Sequence, residues 1–379
     1  HTTLFRSGTD AIAIGTQAYA DGDYATAIGG HTYASLLSTA VGNYATAEGV
    51  KSMALGDGST ALGAESLAVG EGSRAGATGG IGLHATAFGF QANAQGDDSL
   101  AMGTQATTTG DDATASGNHA TAAQLSSAFG NYATADGYQS IAVGDGSVSH
   151  GSQSMAIGIG ARAGSPTGGD RSTALGFQAN AQGENSLAEG MQSYAGGLND
   201  SVTGAYSTTT DFGQQNTVTG TKNTVDGDAA NNSESNTING TGNQVGVDVA
   251  GSGVGASGNF IGGNNNIVSG GSNNNHFIGD GNSFDPSSGN SGSGSGNTFV
   301  ESNDNSVNGD NNALDHADDN AILGGAHDNT LTTADGNTIL ALAHDNTVDN
   351  SDGNTVGGYN NSLTASSDDN HVDGHDNTL

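Results

Sequence analysis

The residues best suited to bind an ion are aspartates in a recurring context. Asp-Gly-Asn and Asp-Asn steps fall at Asp335, Asp345, Asp352, Asp369 and Asp376. If successive repeats stack, these carboxylates align every few ångströms, and calcium prefers such oxygen ligands. The alternative is that Asp and Asn only form turns on a solvated face. The sequence therefore predicts calcium as the one candidate cofactor, bound by these five aspartates, with turn formation as the competing interpretation.

Histidines and tyrosines are the other candidates for chemistry. His327 and His344 share the context Ala-His-Asp-Asn, and His375 lies in a similar Gly-His-Asp-Asn. They either form a ladder that binds a transition metal or a three-fold metal site on the axis of a trimer, or are exposed loop residues. Five tyrosines lie at exposed-looking steps of the repeat and either stack on sugars or pack between neighbouring repeats: Tyr19, Tyr24, Tyr33, Tyr44 and Tyr132. No nucleophile elbow or phosphate-binding loop occurs, and we expect no enzyme activity.

Composition excludes several partners. The 379 residues include 39 acids, only 6 lysines and arginines, and 65 glycines, with a net charge of -33 and no cysteine. Nucleic acid is excluded because phosphate neutralisation needs basic clusters, and an anionic membrane surface would repel the chain. No apolar run is long enough to span a bilayer, so we expect no membrane contact. The excess of aspartate is typical of a halophilic surface that stays soluble in high salt, and the alternative is a surface that binds divalent cations.

The first half repeats Ala-x-Gly every seven residues from Ala11 to about Leu198. The residue between Ala and Gly alternates between apolar and polar, as in Ile14, Asp21 and Ile28. The true unit is therefore about 14 residues, made of two unlike sevens. Seven residues fit a short strand with a tight glycine turn, and two such strands make one coil of a parallel solenoid. Alanine at each inward position predicts a narrow interior, and the alternating apolar residues predict a second, outward interface.

A longer duplication lies on top of this repeat. Residues 31–47 recur 88 positions later as residues 119–135, and residues 90–96 return as 177–183. The glycine series is interrupted in both copies, and we interpret the interruptions as inserted loops: 29 to 42, 70 to 89, 117 to 130 and 158 to 176. The first domain is therefore predicted over residues 1–200.

Three segments of this half carry a family resemblance. Ser-Leu-Ala-Met-Gly at 99–103, Ser-Ile-Ala-Val-Gly at 140–144 and Ser-Met-Ala-Ile-Gly at 154–158 resemble the head repeat of trimeric autotransporter adhesins, also seen in some phage tail fibres. The resemblance covers roughly residues 8–200. It implies a left-handed parallel β-roll, three chains side by side, and adhesion. Burial also favours a trimer, because a thin roll with an alanine core and an outer apolar stripe buries too little apolar area as a single chain.

The second half follows a different pattern. After Gly213 the repeat becomes Asn-x-Val, Ile or Leu, as in Asn216-Thr217-Val218, with about 16 residues per coil. Stacked asparagines are predicted to form hydrogen-bonded ladders along the axis. We therefore predict a second β-solenoid over residues 201–379, continuing past Leu379 because the sequence stops within a repeat. The Gly/Ser-rich residues 287–296 are predicted to form a surface loop.

These patterns predict an all-β protein outside the cell, on a cell or virion surface. The expected function is that of a homotrimeric rod that adheres to cells, matrix or surface glycans through an unidentified protein or glycan ligand. The alternative is a structural subunit of an extracellular filament, sheath or virion fibre that assembles end to end, because uncapped parallel coils can template further coils.

Overall fold

A computed structural model describes residues 5–77, 82–227, 233–247 and 255–379. The chain divides into two compact units, His1–Glu184 and Asn185–Leu379. Within the described residues every regular element is a β-strand and every neighbouring strand pair is parallel. No helix that could span a membrane occurs in these ranges. The predicted all-β parallel β-solenoid is therefore confirmed for each unit.

Each coil of the first unit consists of one two-residue strand and one three-residue strand. The odd-numbered strands form one sheet (the odd sheet): β1 Phe5–Arg6, β3 Tyr19–Ala20, β5 Tyr33–Ala34, β7 Thr46–Ala47, β9 Thr60–Ala61, β11 Arg74–Ala75, β13 Asn93–Ala94, β15 Thr107–Thr108, β17 Thr121–Ala122, β19 Thr134–Ala135, β21 Val148–Ser149, β23 Arg162–Ala163 and β25 Asn180–Ala181. The even-numbered strands form the other (the even sheet): β2 Ile12–Ile14, β4 Thr26–Ile28, β6 Thr39–Val41, β8 Met53–Leu55, β10 Leu67–Val69, β12 Thr86–Phe88, β14 Leu100–Met102, β16 Thr114–Ser116, β18 Ser127–Phe129, β20 Ile141–Val143, β22 Met155–Ile157 and β24 Thr173–Leu175. Ile12 pairs with Thr26, so one coil has the length that two sevens predict.

The interior of this unit is as narrow as predicted. Alanines from both sheets, such as Ala20 and Ala27, are fully buried and stack on the alanines of the next coil. From β2 onward, the residue before each strand of this unit is alanine, serine or threonine and is also buried. Several buried serines are satisfied locally: Ser59 Oγ donates to the carbonyl of Gly56 at 2.9 Å, whereas the hydroxyls of Thr108, Ser140 and Ser172 have no hydrogen-bond partner. Small side chains therefore let the two sheets lie close together.

Two of the four predicted loops are wrong. Tyr33 pairs with Thr46 and Thr121 with Thr134, so each of these coils is one residue shorter than the usual coil. The missing residue is a turn glycine equivalent to Gly22 of the preceding coil. A Cβ added to Gly22 would lie 2.3 Å from the Cα of Leu36 in the short coil. Intervals 29–42 and 117–130 are therefore tightened turns.

The other two interruptions are longer coils. Arg162 pairs with Asn180, which lengthens that coil, and its extra residues form a tight turn in which Ser165 bridges Gly168. In the interval 70–89, Leu67 pairs with Thr86, and this coil is lengthened as well. Part of this interval, residues 78–81, lies outside the described residues. The loop prediction is confirmed at 158–176, and the longer coil at 70–89 agrees with it.

The glycines that follow the even strands are required by the backbone. Gly42 has φ 137° and an added Cβ would lie 2.3 Å from the carbonyl oxygen of Gly56 in the next coil. No other residue can adopt this conformation and fit this gap. Two residues later the chain is left-handed again, but here the residue is usually not glycine, as at Tyr44 (φ 57°).

The second unit has the same two-sheet plan, with longer coils from Ser201 onward. Its even strands are β26 Leu187–Glu189, β28 Ser201–Thr203, β30 Thr217–Thr221, β32 Thr237–Thr241, β34 Phe260–Asn264, β36 His276–Ile278, β38 Ser291–Ser293, β40 Ser306–Asp310, β42 Ala321–His327, β44 Thr338–Ile339, β46 Thr355–Val356 and β48 His371–Val372. Its odd strands are β27 Tyr194–Ala195, β29 Thr208–Thr209, β31 Thr224–Val225, β33 Gln244–Val247, β35 Ile267–Ser269, β37 Ser283–Asp285, β39 Thr298–Val300, β41 Ala313–Asp315, β43 Thr330–Thr332, β45 Thr347–Asp349 and β47 Ser362–Leu363. From Phe260 onward, the number of residues between paired positions of successive coils differs by at most one from the predicted coil length of about 16.

Buried asparagines hold these coils together, which confirms the predicted ladders. After the first asparagine of each ladder, the backbone N–H donates to the Oδ1 atom of the asparagine one coil earlier, and the Nδ2 group does so as well in every rung except Asn370. Asn236 donates to Asn216 at 3.0 Å through both groups. The ladder that precedes the even strands consists of Asn216, Asn236, Asn259, Asn275, Asn290, Asn305, Asn320, Asn337, Asn354 and Asn370. The ladder that precedes the odd strands consists of Asn223, Asn243, Asn266, Asn282, Asn297, Asn312, Asn329, Asn346, Asn361 and Asn377.

The predicted surface loop at 287–296 is wrong. Asn290 is a buried rung, and strand β38 pairs with the coils on both sides. The sequence pattern disappears there because Gly292 occupies the inward position that Val, Ile or Phe holds in other coils. Three buried phenylalanines nearby contact one another with ring centroids 4.7–5.6 Å apart and fill the interior: Phe277, Phe284 and Phe299.

The change of core chemistry lies inside the second unit. Val202 is the first of the large buried apolar residues, two positions after the buried Asp200, which accepts a hydrogen bond from the backbone N–H of Asn216. Burial raises the pKa of Asp200 above its ordinary value. The buried apolar residues thus become larger from Val202 onward, whereas the compact units divide at 184/185, and the boundary at 200/201 stays a prediction.

Candidate functional surfaces

An apolar stripe covers the outer face of the even sheet in the first unit. In each three-residue strand the central alanine points inward, so its two neighbours point outward. Many of these outward residues are large and apolar, and several are strongly exposed, such as Ile14 (56%), Phe88 (53%) and Phe129 (43%). The stripe comprises Ile12, Ile14, Ile28, Val41, Met53, Leu55, Leu67, Val69, Phe88, Leu100, Met102, Phe129, Ile141, Val143, Met155, Ile157 and Leu175. This is the outward apolar face that the alternating sevens predicted.

The other outer faces are more polar. On the odd sheet of the first unit the first strand residue points outward and is mostly Thr, Asn, Arg or Tyr, as at Thr60, Thr121 and Asn180. In the second unit the even sheet carries mostly Ser, Thr, Asn and His outward. Soluble proteins rarely expose long apolar patches unless these bind something. The stripe is therefore the strongest candidate for an interaction surface.

The five aspartates predicted to bind calcium lie at two different turns of the coil. Asp335 and Asp352 lie one coil apart before even strands, and the backbone N–H of Asp335 donates to Asp352 Oδ1 at 2.8 Å. Asp369 lies in the next coil, where its N–H donates to the carbonyl of Asp352 at 2.9 Å. Asp345 and Asp376 lie at the other turn of the coil. Asp345 precedes the odd strand β45, and Asp376 precedes Asn377, the last asparagine of the ladder that precedes the odd strands. The structure thus brings together three of the five and separates the other two.

Backbone donors already occupy part of these carboxylates. Asp318 N–H donates to Asp335 at 2.8 Å, and Asp352 N–H donates to Asp368 at 2.9 Å, so the aspartates form an exposed ladder of side chain to backbone hydrogen bonds. Within the described residues no group of three or more His, Asp or Glu is placed to hold a metal ion. Turn formation accounts for the geometry of these residues, and calcium binding stays a prediction.

The three histidines singled out by their context belong to one stack of rings. His327, His344, Tyr359 and His375 lie in successive coils with centroids 5.0–5.2 Å apart and planes within 10°. Each histidine Nδ1 lies 2.8–3.0 Å from the aspartate that follows it in sequence. The histidines thus align in successive coils, whereas metal binding by them stays a prediction. Tyr359 escaped sequence reasoning, although its spacing from His344 in the sequence is that of one coil.

These contacts shift the pKa of the aspartates. The hydrogen bond from His327 lowers the pKa of Asp328 below its ordinary value. The amide of Asn360, 2.5 Å from Asp376 Oδ1, and then His375 lower the pKa of Asp376. Both aspartates therefore stay ionised at neutral pH and orient the neighbouring imidazole rings. The stack is a fixed row of rings with carboxylates along one side.

Four of the five tyrosines pack between coils. Tyr19 stacks on Tyr33 with centroids 5.7 Å apart, whereas Tyr44 stacks on His31 and Tyr132 on His119 at 4.7 Å. Packing between neighbouring repeats is therefore confirmed for these four residues. Burial and the nearby Asp21 carboxylate, which accepts a hydrogen bond from the Tyr33 hydroxyl, raise the pKa of Tyr33.

The family model that matches this chain agrees with this architecture. The family model described as "YadA head domain repeat (2 copies)" matches residues 7–32, 36–59, 56–75, 81–106, 94–120, 122–147 and 168–193. The solved structure of the collagen-binding domain of the Yersinia adhesin YadA is similar at 23% identity, over 48% of this chain and 80% of that chain, with a TM-score of 0.24. Comparison with curated protein sequences gives no match.

The matched segments fall on the Ala-x-Gly coils and stop before the asparagine ladders begin. They confirm the resemblance that the sequence indicated for residues 8–200. Seven segments between residues 7 and 193 are therefore similar to the head repeat of trimeric autotransporter adhesins, and their described residues fold as a head-like β-roll.

Proposed function

We propose that this chain is an extracellular adhesin segment that works as a homotrimer. The observation that carries the proposal is the apolar stripe on the even sheet of a head-type repeat region. Three copies packed by this face would bury the stripe and leave the polar odd sheets outward, available to a ligand on a cell, a matrix or a glycan-coated surface.

Burial explains why a single chain is an incomplete unit. The alanines inside each coil bury little apolar area, and larger residues such as Phe88 and Phe129 remain about half exposed. Apolar area removed from water contributes about 25 cal/mol per Å². Association through the stripe would therefore supply much of the burial that the narrow core lacks, and the acidic remainder of the surface would keep the assembly soluble.

Paired substitutions test the trimer. Phe88→Asp with Phe129→Asp places two charges in the proposed interface, and Thr60→Asp with Thr121→Asp places the same charges on the odd sheet as a control. We expect the first pair to convert the trimer to a monomer in sedimentation experiments and the control pair to remain trimeric. An unchanged mass for the first pair would contradict the proposed interface.

Adhesion is tested by binding to coated surfaces. The panel should contain collagen, which the similar YadA domain is named for, together with other matrix proteins and cultured cells. The trimer is expected to bind at least one of them, and the monomeric Phe variant is expected to bind far more weakly because avidity is lost. A trimer that binds none but forms long end-to-end assemblies in micrographs would favour the alternative of a structural filament.

A further inference from the structure

A loop lies beside the odd sheet where one coil of the first unit is lengthened. Val148 pairs with Arg162, 14 residues later, whereas Arg162 pairs with Asn180, 18 residues later. The four additional residues form the 165–168 loop. The backbone groups of Ser165 and Gly168 close this loop with hydrogen bonds of 2.8 and 3.2 Å. The loop is therefore a tight, closed turn.

A depression of about 320 Å³ lies between this loop and the odd sheet. Sites for small molecules begin at about this volume, so the depression accommodates a single ring. Neighbouring coils lie about 4.8 Å apart, and the lining side chains therefore span about 10 Å. The side chains that line it are Val148 and His150 from one coil, Arg162 from the next, Gln182 from the coil after that, and Ser165 and Pro166 from the loop.

Arg162 is an exposed base without a partner in a very acidic chain. The sequence has 39 acidic residues and only six lysines and arginines. Lys51, for comparison, forms an ion pair with Glu65 at 3.0 Å. The Arg162 guanidinium makes no hydrogen bond or ion pair within the residues that the structure describes. Because a guanidinium binds a carboxylate through two parallel hydrogen bonds, Arg162 is an unused carboxylate-binding group at the depression.

His150 is held in place beside Arg162. Its Nδ1 atom lies 2.7 Å from Asp136 Oδ1, and Asp136 comes from the coil before it. This contact fixes the imidazole ring and occupies the Asp136 carboxylate. The Nε2 atom has no hydrogen-bond partner within the described part of the chain, and the side chain is 29% exposed. The second ring nitrogen is therefore available to a ligand.

We infer that this depression binds one sugar ring that carries a carboxylate, such as a uronic acid. Arg162 binds the carboxylate, and hydroxyl groups of the ring pair with His150 Nε2 and the Ser165 hydroxyl. An acidic amino-acid side chain offers a carboxylate alone, whereas a sugar also has hydroxyls for the imidazole and hydroxyl groups around the guanidinium. The observations therefore favour an acidic sugar over an acidic peptide.

The apolar lining and the charge of the chain are compatible with this ligand. Val148 and Pro166 offer apolar surface to the C–H groups of a sugar ring. The net charge of -33 repels anions at long range, but salt screens distant carboxylates beyond about 8 Å at physiological ionic strength. A guanidinium in contact with its ligand is not cancelled by charges at that distance.

This inference names a ligand class for the proposed adhesive surface and rests on that proposal for its biological meaning. The lining residues belong to one chain, so failure of the site would leave the trimer and its mass unaffected. Conversely, a monomeric chain that binds acidic sugars would support the site and contradict the proposed trimer.

The test uses the whole chain with glucuronate, galacturonate and N-acetylneuraminate as probes. Glucose and galactose are the neutral counterparts, and the methylamide of N-acetylglutamate represents an acidic peptide. Calorimetry and saturation-transfer NMR are expected to show at least one acidic sugar binding at one site per chain with a millimolar dissociation constant. The neutral sugars should bind at least about tenfold more weakly, because they lack the group that Arg162 binds.

Arg162→Gln should weaken this binding at least about tenfold. Arg74→Gln is the matched control, because Arg74 pairs with Asn93 as Arg162 pairs with Asn180, while Leu62 occupies the position that His150 has in the second copy. The control removes the same charge from the same sheet and should bind normally. His150→Leu should weaken binding about two- to tenfold, the value of one hydrogen bond.

Deletion of residues 165–168 tests the loop without disturbing the repeat. It joins Gly164 to Gly169 and returns Arg162 and Asn180 to the separation of 14 residues that Val148 and Arg162 have. The shortened chain should lose binding and keep its Tm within about 2 °C.

Four results would each overturn the inference. They are no binding of any acidic sugar at about 10 mM, equal affinity for glucose and glucuronate, equal losses in the two arginine variants, and binding of the glutamate derivative without any sugar.

Discussion

Replacing one rung of a buried asparagine ladder by aspartate should destabilise the second unit strongly. Asn305 is 1% exposed, and its Nδ2 group donates to Asn290 Oδ1 at 3.0 Å and to the carbonyl of Ala317 at 2.8 Å. Its Oδ1 accepts from the backbone N–H and the Nδ2 group of Asn320. In Asn305→Asp an acceptor oxygen replaces the donor and faces two other oxygens.

The magnitude follows from the two lost donors and the buried charge. Leaving buried groups unsatisfied costs about 1–3 kcal/mol each, and an uncompensated buried charge costs about 3–5 kcal/mol. We therefore expect Asn305→Asp to lower the free energy of unfolding by about 3–5 kcal/mol at neutral pH. For a domain of this size that is a fall in Tm of about 6–20 °C.

Urea and thermal unfolding, followed by circular dichroism, measure this difference. The matched control is Asn311→Asp, because Asn311 is exposed and its turn position is held by Asp328 in the next coil. The control should change Tm by at most about 2 °C. The loss in Asn305→Asp should shrink as pH falls, since protonation gives the carboxyl a donor. Equal stability of the two variants would refute the view that the ladder holds the coils together.

Three further predictions follow from particular contacts. Gly42→Ala should lower Tm by several degrees, because its Cβ would lie 2.3 Å from the Gly56 carbonyl oxygen; an unchanged Tm would show that the turn relaxes freely. Asp315 and then Glu301 raise the pKa of His316 above its ordinary 6.5, so the pairing stabilises the fold fully below pH 6.5 and is lost as pH rises through the folded-state pKa; NMR titration should show this pKa falling in Glu301→Gln. Calcium bound at the aspartate ladder would raise Tm in wild type and not in Asp352→Asn, whereas equal Tm values with calcium and with chelator would remove that prediction.

Much of the fold was predictable because a solenoid converts sequence period directly into structure. The seven-residue glycine spacing indicates two strands per coil, and the alternation between residues such as Ile14 and Asp21 identifies the sheet that carries the stripe. The asparagine ladders are likewise a direct consequence of stacking one asparagine per half coil.

The wrong predictions concern coils that stay regular in the structure although the repeat pattern is interrupted in the sequence. Gly292 removes an apolar residue from the repeat, yet its coil stays regular because Phe277, Phe284 and Phe299 fill the space. The shortened coils look like interruptions in the sequence but only lose a turn glycine. Spacing alone does not distinguish a shortened turn from an inserted loop.

The candidate surfaces were predictable to different degrees. The stripe and the histidine row followed from the period of the repeat, whereas the stacking of Tyr44 on His31 did not, because their separation in the sequence is one residue shorter than the usual coil.

The most direct test of the account is the mass of the purified chain in solution by multi-angle light scattering. A trimer that buries the stripe predicts three times the 37.0 kDa of one chain, independent of concentration over the micromolar range. A single species of 37.0 kDa would contradict the central claim that the apolar face of the first unit is an interface between copies of this protein.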